Sequence, residues 1–169
     1  PAPRGLVALW PAALYFALLA LALRAAGPPP ALLLALAGPT LLIAVSEEAM
    51  FRGFLYAGLR DRLTILRAGL ACSLLFGAVH VLNVQVTGDL RGALLQSVNA
   101  TFLGLYLMGL RLASGSIWPP VLVHWLWNLP LFALGEAAEA ARRAGLPPPP
   151  TEGLLLQGLG PTLLMLPLG

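Results

Sequence analysis

Apolar residues run through this chain in blocks of about one bilayer thickness, separated by short stretches rich in arginine, proline and glycine. Gly5 to Leu23, between Arg4 and Arg24, is long enough for one spanning helix. No small-residue cleavage site follows it ahead of a soluble domain, so it reads as a span and not as a signal peptide. The break from Arg24 through Pro30 ends it, because proline cannot donate to a helical ladder. Ala31 to Leu59 is the second apolar block and carries polar residues in its middle. Ala68 to Val86, Ala93 to Leu110 and Ile117 to Leu134 follow, divided by the segments 60–67, 87–92 and 111–116. Gly135 to Gly153, with prolines at 147–150, predicts the longest loop, and Leu154 to Leu168 a sixth, proline-containing span. No internal repeat is visible. The pattern predicts an all-α, polytopic transmembrane bundle of about six spans, a single membrane domain over residues 1–169 with its core at about 31–134.

Composition supports the same class. Hydrophobic residues make up 59% of the 169 positions and charged residues only 10%, where a soluble domain carries about 25% charged. A small globule has too much surface to hide that much apolar side chain, so a soluble enzyme and a disordered tail are both excluded. Lipid is therefore the main partner of the fold. The net charge is +3 and the pI near 9.8, but the arginines punctuate apolar runs and do not cluster, which excludes a nucleic-acid surface. All ten basic residues are arginine, a bias that predicts a bacterial source and location in the cell (inner) membrane. A single cysteine, Cys72, excludes an internal disulfide and a thiolate metal cluster. The first residue is Pro1, which predicts trimming at the N-terminus.

With six alternating spans, Arg4, Arg60, Arg62, Arg67 and Arg111 fall on one side. Arg24, Arg91, Arg142 and Arg143 fall on the other, together with Glu136, Glu139 and Glu152. The first side reads as cytoplasmic.

The residues that stand out are those that ionise inside the apolar blocks: Glu47, Glu48, Arg52, His80 and His124. A charge at the centre of a spanning helix costs on the order of 2.5–3.5 kcal/mol on insertion scales, so such groups face the bundle interior or a wet cavity. Glu48 and Arg52 are four apart and share a helix face, which suits an ion pair. Glu47 is turned about 100° from Glu48, which leaves it free to handle a proton or a metal. Phe76 and His80 share one face of the third block, and His124 and Asn128 one face of the fifth. Phe76 is expected to pack beside the site and take no part in the chemistry. Glu47 precedes Arg60 by as many residues as His80 follows Arg67. A hairpin of two helices would therefore set them level, roughly 20 Å from the shared loop.

Two chemistries suit this set. Glu47, His80 and His124 form a one-carboxylate, two-histidine zinc set that leaves a fourth position for water, with a second glutamate as base. Alternatively, in a metal-free hydrolase, Glu47 activates a water held with His80, while His124 and Asn128 donate to a tetrahedral oxyanion. Buried Glu and His also build proton relays, so a proton-coupled transporter is a competing function; the lack of matched repeats counts against it.

Three strings carry a resemblance. Ser46-Glu47-Glu48-Ala49-Met50-Phe51-Arg52-Gly53 matches the pattern E-E-x-x-x-R. Leu75-Phe76-Gly77-Ala78-Val79-His80 matches F-x-x-x-H. Gly115-Ser116-Ile117-Trp118-Pro119-Pro120, followed by His124-Trp125-Leu126-Trp127-Asn128, matches H-x-x-x-N with its lead-in. In this order, each on an apolar helix, they resemble the CPBP intramembrane protease family of CAAX proteases and bacteriocin-processing enzymes, whose archetype is the type II CAAX prenyl endopeptidase. The match covers about Leu41 to Leu129. The resemblance implies a helical membrane core around a catalytic cavity open to the cytosol, and a membrane-associated protein or peptide as substrate. By the same resemblance Glu47 activates water with His80, His124 and Asn128 stabilise the oxyanion, and Glu48 and Arg52 support them. It leaves both a zinc-dependent metalloprotease and a glutamate-type mechanism open. A catalytically silent member of such a family, acting as a scaffold or immunity protein, is the remaining alternative.

Overall fold

The computed structural model describes residues 10–147, with side chains from residue 13 onward. The sixth span expected at Leu154–Leu168, and Arg4 and Glu152 with it, lie outside the described residues. Among the described residues the elements are helical throughout. They are α1 (Trp10–Ala26), α2 (Pro30–Glu48), a π-helical stretch (Ala49–Leu55), α3 (Tyr56–Arg60), α4 (Ile65–Val79), a 3-10 turn (His80–Asn83), α5 (Val84–Thr87), α6 (Leu90–Ser114) and α7 (Trp118–Arg143). Joined end to end, they give four described helices long and apolar enough to cross a membrane: Pro30–Arg60, Ile65–Thr87, Leu90–Ser114 and Trp118–Arg143. The apolar part of α1 is shorter.

Two boundaries differ from the sequence expectation. The last described helix does not stop near Leu134 but runs to Arg143, through residues expected in a loop. The run Glu136-Ala137-Ala138-Glu139-Ala140-Ala141-Arg142-Arg143 consists of strong helix formers. Glu139 also accepts from Arg143 one turn on (2.9 Å), an i,i+4 pair of the favourable polarity. The second difference lies inside the long second block. Its helical ladder is widened at Ala49–Leu55, where the Tyr56 N–H reaches the Phe51 carbonyl, five residues back.

The turns are set by local chemistry. The Thr64 side chain accepts from the Arg67 N–H at the start of α4, and Asp89 accepts from the Gly92 N–H (3.0 Å) at the start of α6. Both are N-caps, which satisfy donors that helix geometry leaves unpaired. Gly88 and Gly115 end α5 and α6 with φ of 69° and 70°, a left-handed conformation that costs a side-chain-bearing residue more.

The described chain divides into two compact units, one containing residues up to Pro39 and from Leu126 onward, the other Thr40–Trp125. In the first, Tyr15, Leu19 and Ala22 bury one face of α1, and the Tyr15 ring stacks on Trp127 of α7 at 4.0 Å.

In the second unit α4 packs along α6. Its contact row is Gly69, Ser73 and Gly77, small residues at every fourth position. A methyl group on Gly69 would lie 3.1 Å from Met108 Cγ. One on Gly77 would overlap the Thr101 hydroxyl and approach the Ser97 carbonyl to 2.6 Å. One on Gly104 would lie 3.3 Å from Ser73 Cα. Lipid offers no hydrophobic drive between helices, so close van der Waals approach across small residues takes its place. The row's hydroxyl is satisfied internally, Ser73 donating to the Gly69 carbonyl at 2.9 Å. Leucines at 66, 70 and 74 remain exposed on the same helix, as expected for a surface solvated by acyl chains.

This packing gives a prediction. Gly77→Leu should lower stability by about 1–3 kcal/mol or block folding, as overpacking does. Gly109→Ala, whose new methyl group meets nothing within 4 Å, should be neutral or stabilising by up to about 1 kcal/mol, since alanine outperforms glycine within a helix. Thermal denaturation of both variants in detergent measures the contrast.

Candidate active site

Glu48 is the last residue of α2 and Arg52 lies in the π-helical stretch that follows. Both side chains are fully buried, and Arg52 Nη1 donates to Glu48 Oε1 at 2.9 Å. The same oxygen receives His124 Nδ1 from α7 at 2.8 Å. A buried carboxylate is tolerable only when paired and hydrogen-bonded, and here a guanidinium and an imidazole share one oxygen. The expected ion pair is therefore present, and it also holds a histidine.

Arg52 is held at further points. Its Nη2 donates to the Gly104 carbonyl at 3.1 Å, and its Cζ lies 4.3 Å above the Phe76 ring. The missing side chain at Gly104 makes this possible, because a methyl there would stand 3.2 Å from both Arg52 Nη2 and Phe76 Cδ1. Behind it, Arg111 of α6 reaches the Arg52 carbonyl through Nε (3.4 Å).

Phe76 organises the remaining rings. Phe51 meets it edge-on with centroids 5.1 Å apart, His80 at 4.9 Å and His124 at 5.7 Å. These are the T-shaped arrangements that aromatic quadrupoles favour. Its role as packing beside the site matches the sequence expectation.

Glu47 is turned away from the buried pair, with its side chain 32% exposed, and its Oε2 lies 3.6 Å from His124 Nε2. The His124 ring is thus bracketed, with Nδ1 on Glu48 and Nε2 facing Glu47. Glu47 Oε2 itself is buried and has no hydrogen-bond partner, as is true of Glu48 Oε2 and Arg52 Nε. Buried oxygens of this kind take water.

His80 opens the 3-10 turn at the end of α4, half-buried, with Nδ1 2.7 Å from the Phe76 carbonyl. A carbonyl only accepts, so Nδ1 carries the proton and the neutral ring keeps its lone pair on Nε2.

Glu47, Glu48, Arg52, His80 and His124 therefore belong to one side-chain cluster within the second unit, linked through Phe76. Asn128 is half-buried, four residues beyond His124 on α7, and belongs to the first unit. Two contributors escape motif reading: Gly104, whose carbonyl anchors Arg52, and Arg111, read from sequence only as a topology anchor. A glycine inside an apolar helix is the available signal for the first, since it marks a close backbone approach.

The tautomers of both histidines are those that metal-binding imidazoles adopt, with the second nitrogen hydrogen-bonded. The donors are not gathered to match. Among the described residues no three His, Cys, Asp or Glu side chains form a group that would hold a metal ion. The zinc set Glu47, His80 and His124 does not fit the arrangement, and no step below is routed through a metal.

Arg52→Met should leave Glu48 buried without its cation and cost about 3–5 kcal/mol. The double variant Glu48→Gln/Arg52→Met removes both charges and keeps an acceptor for His124, so it should recover most of that loss. Denaturation midpoints of the two variants in detergent test this.

Comparison with known families closes the assignment. The family model described as type II CAAX prenyl endopeptidase Rce1-like matches residues 29–130, well over half of the chain. That range contains every motif residue named above, from Glu47 to Asn128. No curated protein and no solved structure matches the chain. By that family match and its membrane-length helices, the chain belongs to the type II CAAX prenyl endopeptidase Rce1-like family, the CAAX-type intramembrane proteases.

Proposed function

We propose that this protein is an intramembrane endopeptidase that hydrolyses a peptide bond near the C-terminus of a membrane-associated substrate by a glutamate-type, metal-free mechanism. The observation that carries it is the bracketed His124 ring, held by the ion-paired Glu48 on one side and facing the unpartnered oxygen of Glu47 on the other. Glu47 is the general base: its ionised carboxylate takes a proton from water. The oxygen of that water adds to the scissile carbonyl carbon, and the carbonyl oxygen becomes an oxyanion. The Nε2 lone pair of His80 accepts the water's second hydrogen and orients it. In its imidazolium form His124, held on Glu48 through Nδ1, donates Nε2–H to the oxyanion. Collapse breaks the C–N bond, and the proton held by Glu47 passes to the leaving amine.

Within the second unit Arg60, Arg62 and Arg67 lie around the turn that joins α3 to α4, and Arg111 in the last turn of α6. The antiparallel packing of α4 and α6 sets them at one end, which supports a cytoplasmic orientation for that end. The arginine-only composition supports the bacterial cell membrane as the location.

The test uses the purified protein in proteoliposomes with a quenched-fluorescent peptide ending in a farnesylated CAAX-type sequence. Glu47→Gln and His80→Ala should each lower kcat by about 10²–10⁴, the usual worth of general acid–base catalysis, with an unchanged thermal denaturation profile. Full activity in either variant overturns the assignment. Chelation should leave activity intact and elemental analysis should find no stoichiometric zinc. Stoichiometric zinc, with activity lost on chelation and restored by the metal, overturns the metal-free mechanism.

A further inference from the structure

One polar pair on the second unit takes no part in the cluster described above. Asn83 closes the 3-10 turn that His80 opens, and its Nδ2 donates to Gln96 Oε1 on α6 at 2.9 Å. Both residues sit within membrane-length apolar helices. The side chains around them, Val79, Leu82 and Val86 on one helix and Leu94, Leu95 and Val98 on the other, are exposed and apolar. The pair lies near the helix ends, where Gln85 and Thr87 are also exposed, and it is the side-chain hydrogen bond that ties α6 to the turn opened by His80.

Their mutual hydrogen bond satisfies only half of them. It consumes one Asn83 donor and one Gln96 acceptor lone pair, and it fixes both amide orientations. The Asn83 Oδ1 acceptor and the Gln96 Nε2 donor remain available to another partner. A lipid tail offers neither a donor nor an acceptor, and a phosphate offers only acceptors. A main-chain peptide group offers one of each, N–H and C=O, and matches the pair. In apolar surroundings such bonds are stronger than in water.

The position relative to His80 follows from the turn. Residues three apart in a 3-10 helix eclipse, so Asn83 stands over His80 on one face, about 6 Å along the axis. An extended chain advances about 3.3–3.6 Å per residue, so that distance is about two residues of substrate. We infer that the Asn83–Gln96 pair binds a main-chain peptide group of the substrate about two residues from the scissile bond. This inference rests on the endopeptidase assignment above and adds to it a positioning device that reads backbone and not side chain.

The experiment uses the same farnesylated peptide and a series in which each amide in turn is N-methylated, after the cleavage site has been mapped by mass spectrometry. Wild-type kcat/KM should fall about tenfold on methylation of the amide about two residues from the scissile bond, the scale of one or two lost hydrogen bonds. In N83L/Q96L, which removes both partners and leaves no orphaned amide, kcat/KM on the parent peptide should fall by a similar factor, mainly through KM, and methylation at that position should have no further effect. Asn83→Ala serves as the second variant and should show the same loss of sensitivity. A purely structural tie between the helices would lower the melting temperature of these variants and leave their methylation profile parallel to wild type, which overturns the inference while the endopeptidase assignment stands. Absence of wild-type cleavage of the parent peptide overturns that assignment and this inference with it.

Discussion

A single carboxylate oxygen, Glu48 Oε1, accepts from both Arg52 and His124, and the buried polar cluster depends on it. In a protein solvated by lipid, no bulk water is at hand to stabilise an unpaired ion. Arg52 and His124 both bond the same oxygen of Glu48, so the position of each side chain is tied to the other two. Removing any of the three changes the state of the other two. That coupling suits the proposed hydrolysis, in which reacting groups must already point at the developing charge.

The ion pair in turn needs room, which small residues supply. Arg52 is among the largest buried side chains described, and it fits because Gly104 has no side chain and exposes its carbonyl. The row Gly69, Ser73 and Gly77 draws α6 onto α4 closely enough for that carbonyl to be in reach. Glycine, serine and a buried ion pair thus line the close approach of α4 and α6, while many leucines and valines on the same helices face outward.

Much of this is legible in the chain. The apolar blocks mark four membrane-length helices because their edges carry arginine, proline and glycine. Glu48 and Arg52 identify each other by helical spacing, and Glu47, His80 and His124 stand out because ionisable groups are so costly in their surroundings. The Glu136–Arg143 extension of α7 is obscured, since its charges resemble a loop although its alanines favour helix. The Gly104 carbonyl leaves no side-chain signal at all, and the second role of Glu48, as the acceptor for His124, requires knowledge of which helices touch. Asn83 and Gln96 are individually unremarkable polar residues; only the fold makes them a pair.

The wide turn at Ala49–Leu55 makes the second long helix sensitive to its length. A π-helical stretch takes up an extra residue without unwinding its neighbours, so the portions of Pro30–Arg60 before and after it are out of phase. Excising one amino acid there would restore ordinary winding but rotate the upstream part by about 100° relative to the downstream part, parting the two carboxylates from their partners. The fold therefore tolerates an apolar exchange at outward-facing Met50 or Phe54 more readily than a change of length in this short interval.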